Sequence, residues 1–182
     1  EIILGSEIYI NQDIISLLYQ KKASTINNTQ YVLFEIPFLN NIMYFNHFID
    51  DLKRNKYIPI IAHPERYKIV RENPKIIEEW IERGILIQCN YASVIGKYGK
   101  EVQKTVELLL RHNLVHFLGT DSHRPKITYP YVEEAKSRII KLVGEKYFKE
   151  LSEENAEKVL KSDKIYFPEL IPIKRNIFGK YK

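Results

Sequence analysis

Five short apolar runs in this chain each lead to a polar residue, and those residues recur at nearly constant intervals. Ile2 to Leu4 leads through Gly5-Ser6 to Glu7, and Tyr31 to Phe34 runs into Glu35. Ile58 to Ala62 runs into His63, Ile85 to Gln88 precedes Asn90, and Val115 to Gly119 precedes Asp121. Successive steps are 28, 28, 27 and 31 residues. One strand, one helix and two short loops take about thirty residues. The chain therefore predicts a succession of βα units, each with a ligand-type residue at the carboxyl end of its strand, Glu7 included. In barrels and in open α/β sheets that end is where ligands are bound.

The segments between the runs have helical character. Asp13 to Lys22 follows Asn11, a capping residue type. Residues 42 to 55 place Phe45, Phe48, Ile49 and Leu52 on one face. Asn73-Pro74 starts a helix that Gly84 stops. Glu101 to His112 turns Val102, Val106 and Leu109 or Leu110 inward, and further helices follow at Tyr131 to Val143 and Ser152 to Leu160. The strands are apolar almost throughout, which suits parallel strands covered on both faces, with right-handed crossovers. No linker or low-complexity stretch divides the 182 residues, so a single α/β domain over 1–182 is expected.

The residue types at the strand ends constrain the chemistry. Carboxylates and imidazoles gathered on one face repel or titrate unless a cation lies between them. Mixed carboxylate and histidine ligation suits zinc, manganese or iron better than calcium. Asp121-Ser122-His123 adds an imidazole two residues past a carboxylate, on the same side of an extended chain. Glu7, Glu35, His63, Asp121 and His123 are thus the candidate metal ligands. Taken alone, Glu7 fits a solvated loop acid as well, and Asn90 fits either a site lining or a turn. His47, His112 and His116 fall on helices or inside a strand and are assigned to structure or surface. Arg66 and Arg124 flank the cluster, and a guanidinium fork matches two phosphate oxygens; a salt bridge to a neighbouring acid is the other reading of each.

Net charge of +5 favours an anionic partner, although the last ten residues contribute Lys174, Arg175, Lys180 and Lys182 with no acid, a basic tail from about 173 read as solvated. Cys89 is the single cysteine, which precludes an internal disulfide and suits a reducing cytoplasm. Position 95 is Ile, so Cys89 lacks the arginine six residues on that thiol phosphatases require. A Gly-rich phosphate loop and a Gly-x-Ser-x-Gly elbow are likewise absent from the sequence. Water activated by a divalent metal remains as the attacking group. No run of about twenty apolar residues offers a membrane span.

Four segments carry a family resemblance: Ile60-Ile-Ala-His-Pro-Glu-Arg-Tyr67, Gly119-Thr-Asp-Ser-His-Arg124, Gly5-Ser-Glu-Ile-Tyr9 and Tyr31-Val-Leu-Phe-Glu-Ile-Pro37. With Glu154 to Leu160 near the end, they resemble the PHP (polymerase and histidinol phosphatase) superfamily, and within it the tyrosine-protein phosphatases of bacterial capsular and exopolysaccharide clusters. The resemblance implies a distorted (β/α)7 TIM-like barrel holding up to three divalent ions, manganese first among them. It implies that Glu7, Glu35, His63, Asp121 and His123 are ligands and that Arg66 and Arg124 bind the substrate phosphate. It further implies a cytoplasmic enzyme acting on a phosphotyrosine-bearing autokinase, with no nucleic-acid partner and with homo-oligomers open. A histidinol-phosphatase-like monoesterase and a non-catalytic binding remnant are the alternatives. The family pattern opens with a His-x-His strand, an Asp-Gly segment and a further His, none of which is in this sequence, so the N-terminal strands of the barrel are expected to be missing.

Overall fold

Alternation along the strands sorts the side chains into two layers. In the computed structural model, residues 2–37, 44–123, 129–166, 169–176, 179 and 181 are described. The first strand, β1, is Glu7–Tyr9, followed by helix α1 at Ile14–Tyr19 and a 3-10 turn at Ile26–Asn28. Then come β2 (Tyr31–Glu35), α2 (Phe45–Arg54) and β3 (Ile58–Ala62). A 3-10 turn at Pro64–Arg66 leads into α3 (Lys68–Glu72) and α4 (Ile76–Glu82). The chain continues with β4 (Leu86–Asn90), α5 (Tyr91–Val94), α6 (Lys100–Arg111), β5 (Phe117–Gly119) and α7 (Tyr129–Val143). Helices α8 (Glu145–Lys149) and α9 (Asn155–Leu160) are joined by a π-helical turn at Glu150–Glu154.

The five strands among the described residues are all parallel, in the order β1-β2-β3-β4-β5. Each pairs only with its sequence neighbours, so the sheet winds in one direction. That is the winding of a barrel wall; a doubly wound sheet reverses its strand order. The fold class is thus α/β with a parallel sheet of barrel type.

One face of the sheet carries Val32, Phe34, Ile61, Ile87 and Cys89 and is covered by the helices. Helix α2 buries Phe45, Phe48, Ile49 and Leu52 there, and α6 buries Val102, Val106, Leu109 and Leu110. The other face carries Tyr31, Ile60, Leu86 and Phe117, on which Val159 of α9 and Ile165 pack. Tyr31 closes that contact by donating its hydroxyl to the Asp163 carbonyl at 2.5 Å. Glu35 and Asn90 follow the same alternation, so they extend the second face upward toward the carboxyl ends of the strands.

Several boundaries differ from the sequence expectation. Ile2 to Leu4 is not a strand; Ile2 is 99% exposed and Leu4 69%, and Glu7 opens β1 instead of ending one. Three apolar residues are too few to distinguish a strand from a loop. Asn11 accepts from the Asp13 N–H at 2.9 Å in a turn ahead of α1, which Asp13 caps by position. Asn73 accepts from the Tyr181 hydroxyl, and α4 starts at Ile76. The tail from about 173 is not simply solvated. Ile173 is buried and donates its N–H to Glu78 Oε1 at 2.6 Å, while the Arg175 guanidinium stands 4.6 Å from the Tyr181 ring.

Candidate metal centre

The ends of β2 and β3 and the start of β1 bring three donors together. His63 Nε2 lies 3.0 Å from Glu7 Oε1 and 3.6 Å from Glu35 Oε2. Among the described residues these three form a group whose ligand atoms all lie within 4.8 Å of one another. His63 directly follows β3, is buried, and takes a left-handed backbone with φ of 38°. Asp121, two residues past β5, does the same at φ of 51°. Non-glycine residues held in that region cost free energy and cluster at functional sites.

The shifts of the two carboxylates fit a metal-type donor set. Burial and the neighbouring Glu7 charge push the Glu35 carboxyl up. Glu7 is pulled down, first by its hydrogen bond to His63 and then, against burial, by the charges of His63, His123 and Arg66. Two carboxylates with opposite shifts beside one imidazole form a donor set that a divalent ion would reconcile. Carboxylate and imidazole donors bind a first-row ion at about 2.0–2.2 Å, so a shared ion needs donors a few ångströms apart, as these are.

Asp121 stands beside this group instead of within it. Its Oδ2 accepts from Arg66 Nη1 at 2.8 Å and from Asn90 Nδ2 at 3.1 Å. Asn90 is fully buried and lines the site. His123 is 81% exposed at its side chain, with Nδ1 3.0 Å from the Asp121 carbonyl. Arg66 is drawn to Asp121 and also stands 4.5 Å from the centre of the Tyr98 ring. Arg124 lies outside the described residues.

Two residues under the site have roles that the sequence did not reveal. Glu65 is completely buried; its Oε1 accepts from the Asn90 N–H at 3.0 Å and the Ser93 hydroxyl at 2.5 Å. It ties the turn carrying Arg66 to the end of β4. The Tyr67 hydroxyl donates to the Ala62 carbonyl at 2.9 Å and accepts from the Ile36 N–H at 3.2 Å, fastening the ends of β2 and β3. Both lie in the Ile60 to Tyr67 segment that carries part of the family resemblance, which marks the segment but not these two contacts. The remaining histidines are structural or superficial. His116 is buried, His112 Nδ1 lies 2.6 Å from the Ile171 carbonyl, and His47 is exposed. Cys89 is buried, and burial together with Glu65 pushes its thiol up, so it stays protonated.

Comparison with known proteins adds a family. Residues 1–161 match the family described as capsular polysaccharide synthesis, CpsB/CapC. The chain is 34% identical over 176 residues to the tyrosine-protein phosphatase YwqE of Bacillus subtilis, covering 96% of this chain and 69% of that protein. It is 30% identical over 161 residues to the tyrosine-protein phosphatase CpsB of Streptococcus pneumoniae, covering 86% of this chain and 66% of that protein. A crystal structure from a study of these two enzymes, described as unique metal-dependent tyrosine phosphatases, superposes with a TM-score of 0.85 at 33% identity. That match covers 94% of this chain and 69% of the solved one.

Proposed function

Since the chain belongs to the CpsB/CapC family of capsular polysaccharide synthesis, we propose that it is a metal-dependent protein-tyrosine phosphatase. The observation that carries this reading is the trio of Glu7, Glu35 and His63, three metal-type donors brought together by the start of β1 and the ends of β2 and β3, beside Arg66. Asp121 and His123 complete the proposed ligand set. A divalent ion held there, which we take to be manganese, would polarise phosphoryl oxygens and lower the pKa of an attacking water.

The chain's own residues account for the rest. Arg66, oriented by Asp121 and stacked on Tyr98, presents its planar fork to the non-bridging oxygens. Arg124 is assigned to the same phosphate. Asn90 donates to the same Asp121 oxygen as Arg66 and so helps to fix that carboxylate. Tyrosinate, the conjugate base of a phenol with pKa near 10, leaves without a strong general acid. The substrate in this reading is a bacterial tyrosine autokinase that regulates capsular or exopolysaccharide synthesis. We place the reaction in the cytoplasm, where Cys89 remains a free thiol. No helix among the described residues is long and apolar enough to cross a membrane.

Phosphate release from a phosphotyrosine peptide and from histidinol phosphate, with manganese and then with chelator, tests the proposal. The expected result is release from the peptide that chelator suppresses at least about a hundredfold. Chelator-insensitive release, or a preference for histidinol phosphate, would overturn it.

A further inference from the structure

Arg66 belongs to two environments. One edge donates to Asp121, and the same guanidinium lies over Tyr98. That ring borders a second cleft of about 460 Å³, lined by Arg66, Arg71, Tyr98, Gly99, Lys100 and Glu101. The cleft thus shares a wall with the metal centre. Arg71 is anchored by donating from Nη1 to the Arg66 carbonyl. Arg66 is paired with Asp121, so Arg71 and Lys100 are the cations that face the cleft, against one acid, Glu101. The opening is unobstructed near Gly99, where an added Cβ would meet nothing within 4 Å.

We propose that this cleft is a subsite for an acidic side chain of the substrate, two residues from the phosphotyrosine; the inference rests on the phosphatase reading above. In an extended peptide, residues two apart point the same way and lie about 6.6–6.8 Å from each other. A phosphotyrosine on one side of Arg66 therefore places the second neighbour's side chain on the other. Excess positive charge selects an anion, and the Arg71 guanidinium with the Lys100 ammonium offers donors that a carboxylate accepts. With Arg66 paired to Asp121, Arg71 and Lys100 against Glu101 leave about one net positive charge, which a carboxylate matches and a dianionic second phosphate exceeds.

Fluorescent phosphotyrosine peptides carrying Glu, Gln or a second phosphotyrosine at position −2 or +2 test this by anisotropy in chelator, where nothing is turned over. The Glu peptide should bind about three- to tenfold tighter than the Gln peptide, with a preference that salt weakens. Lys100→Glu should bring the two within twofold. Equal affinities, an undiminished preference in Lys100→Glu, or no measurable binding at millimolar peptide would overturn the subsite. Tighter binding of the doubly phosphorylated peptide would overturn its assignment to a carboxylate. Hydrolysis of p-nitrophenyl phosphate by the unaltered protein with manganese reads the metal centre separately. Its absence would remove the phosphatase reading and the inference with it, whereas hydrolysis combined with equal peptide affinities would remove the cleft alone.

Discussion

Glu65 carries an unusual load for one side chain. A buried carboxylate is costly unless its oxygens are satisfied, and here one oxygen, Oε1, accepts two donors. Removing the side chain would leave the Asn90 N–H and the Ser93 hydroxyl unpaired in the interior, each at about 1–3 kcal/mol. Glu65→Ala is therefore expected to lose more than about 2 kcal/mol in urea unfolding, and Glu65→Gln, which keeps the accepting oxygen, clearly less. Equal losses would show that Oε1 is not what matters. Legibility at this scale followed spacing. Glu35 and His63 were marked by their place at strand ends, and the structure brings them together with Glu7. Glu65 has no periodicity to betray it, because its role arises from β4 folding over the 64–66 turn, a contact between segments 25 residues apart. Tyr98 was hidden for the same reason.

His116 works as a rivet between elements. Its Nδ1 accepts the Ile87 N–H at 3.1 Å, its own N–H donates to the Ile87 carbonyl, and its carbonyl accepts from Asn155 Nδ2. It so joins β4, the approach to β5 and helix α9. Burial pushes its pKa down to about 3. The unfolded chain takes up a proton below about 6.5 that the folded chain refuses, so stability falls as pH drops from about 6.5 toward 3. Between pH 6.5 and 5 this one group should cost about 2 kcal/mol. Denaturant melts of the wild type and His116→Gln across that range would show it: the variant should have a shallower pH slope, and parallel slopes would contradict the assignment. Elements were read unevenly from the sequence. β2 and the buried faces of α2 and α6 matched because their apolar periods are long and unbroken. The start of α4 falls later than the Asn73-Pro74 pair suggests, because Asn73 and Pro74 form a turn whose carbonyls accept from the Ile76 and Ile77 N–H groups before the helix proper begins.

At the scale of the molecule, the metal-type donors belong to three adjacent strands. An ion bound by Glu7, Glu35 and His63 would bind the folded chain and not the unfolded one, so it should raise stability by mass action. At a hundredfold excess over its dissociation constant the gain is about 2.7 kcal/mol, or about 5–10 °C in melting temperature for a domain of this size. Calorimetry with manganese should show that shift in the wild type and lose it in Glu35→Ala; an unchanged wild-type melt would count against the centre. The parallel sheet and its βα rhythm were legible because they repeat. The packing of Ile173 against the rest was not, because ten residues rich in Lys and Arg look solvated until an apolar neighbour is in place.

The sequential strand order has a kinetic consequence. Each strand finds its partner in the βα unit next to it, so the sheet can be laid down in the order in which the polypeptide emerges, without waiting for distant segments. Such short searches favour fast assembly. The exception is the far end of the chain, where Asp163 must return to Tyr31 and Leu160 to Asn27. Synthesis from the N-terminus leaves that closure until last, so the sheet face beneath α9 should remain exposed longest and be the surface most prone to misassociation in the nascent chain.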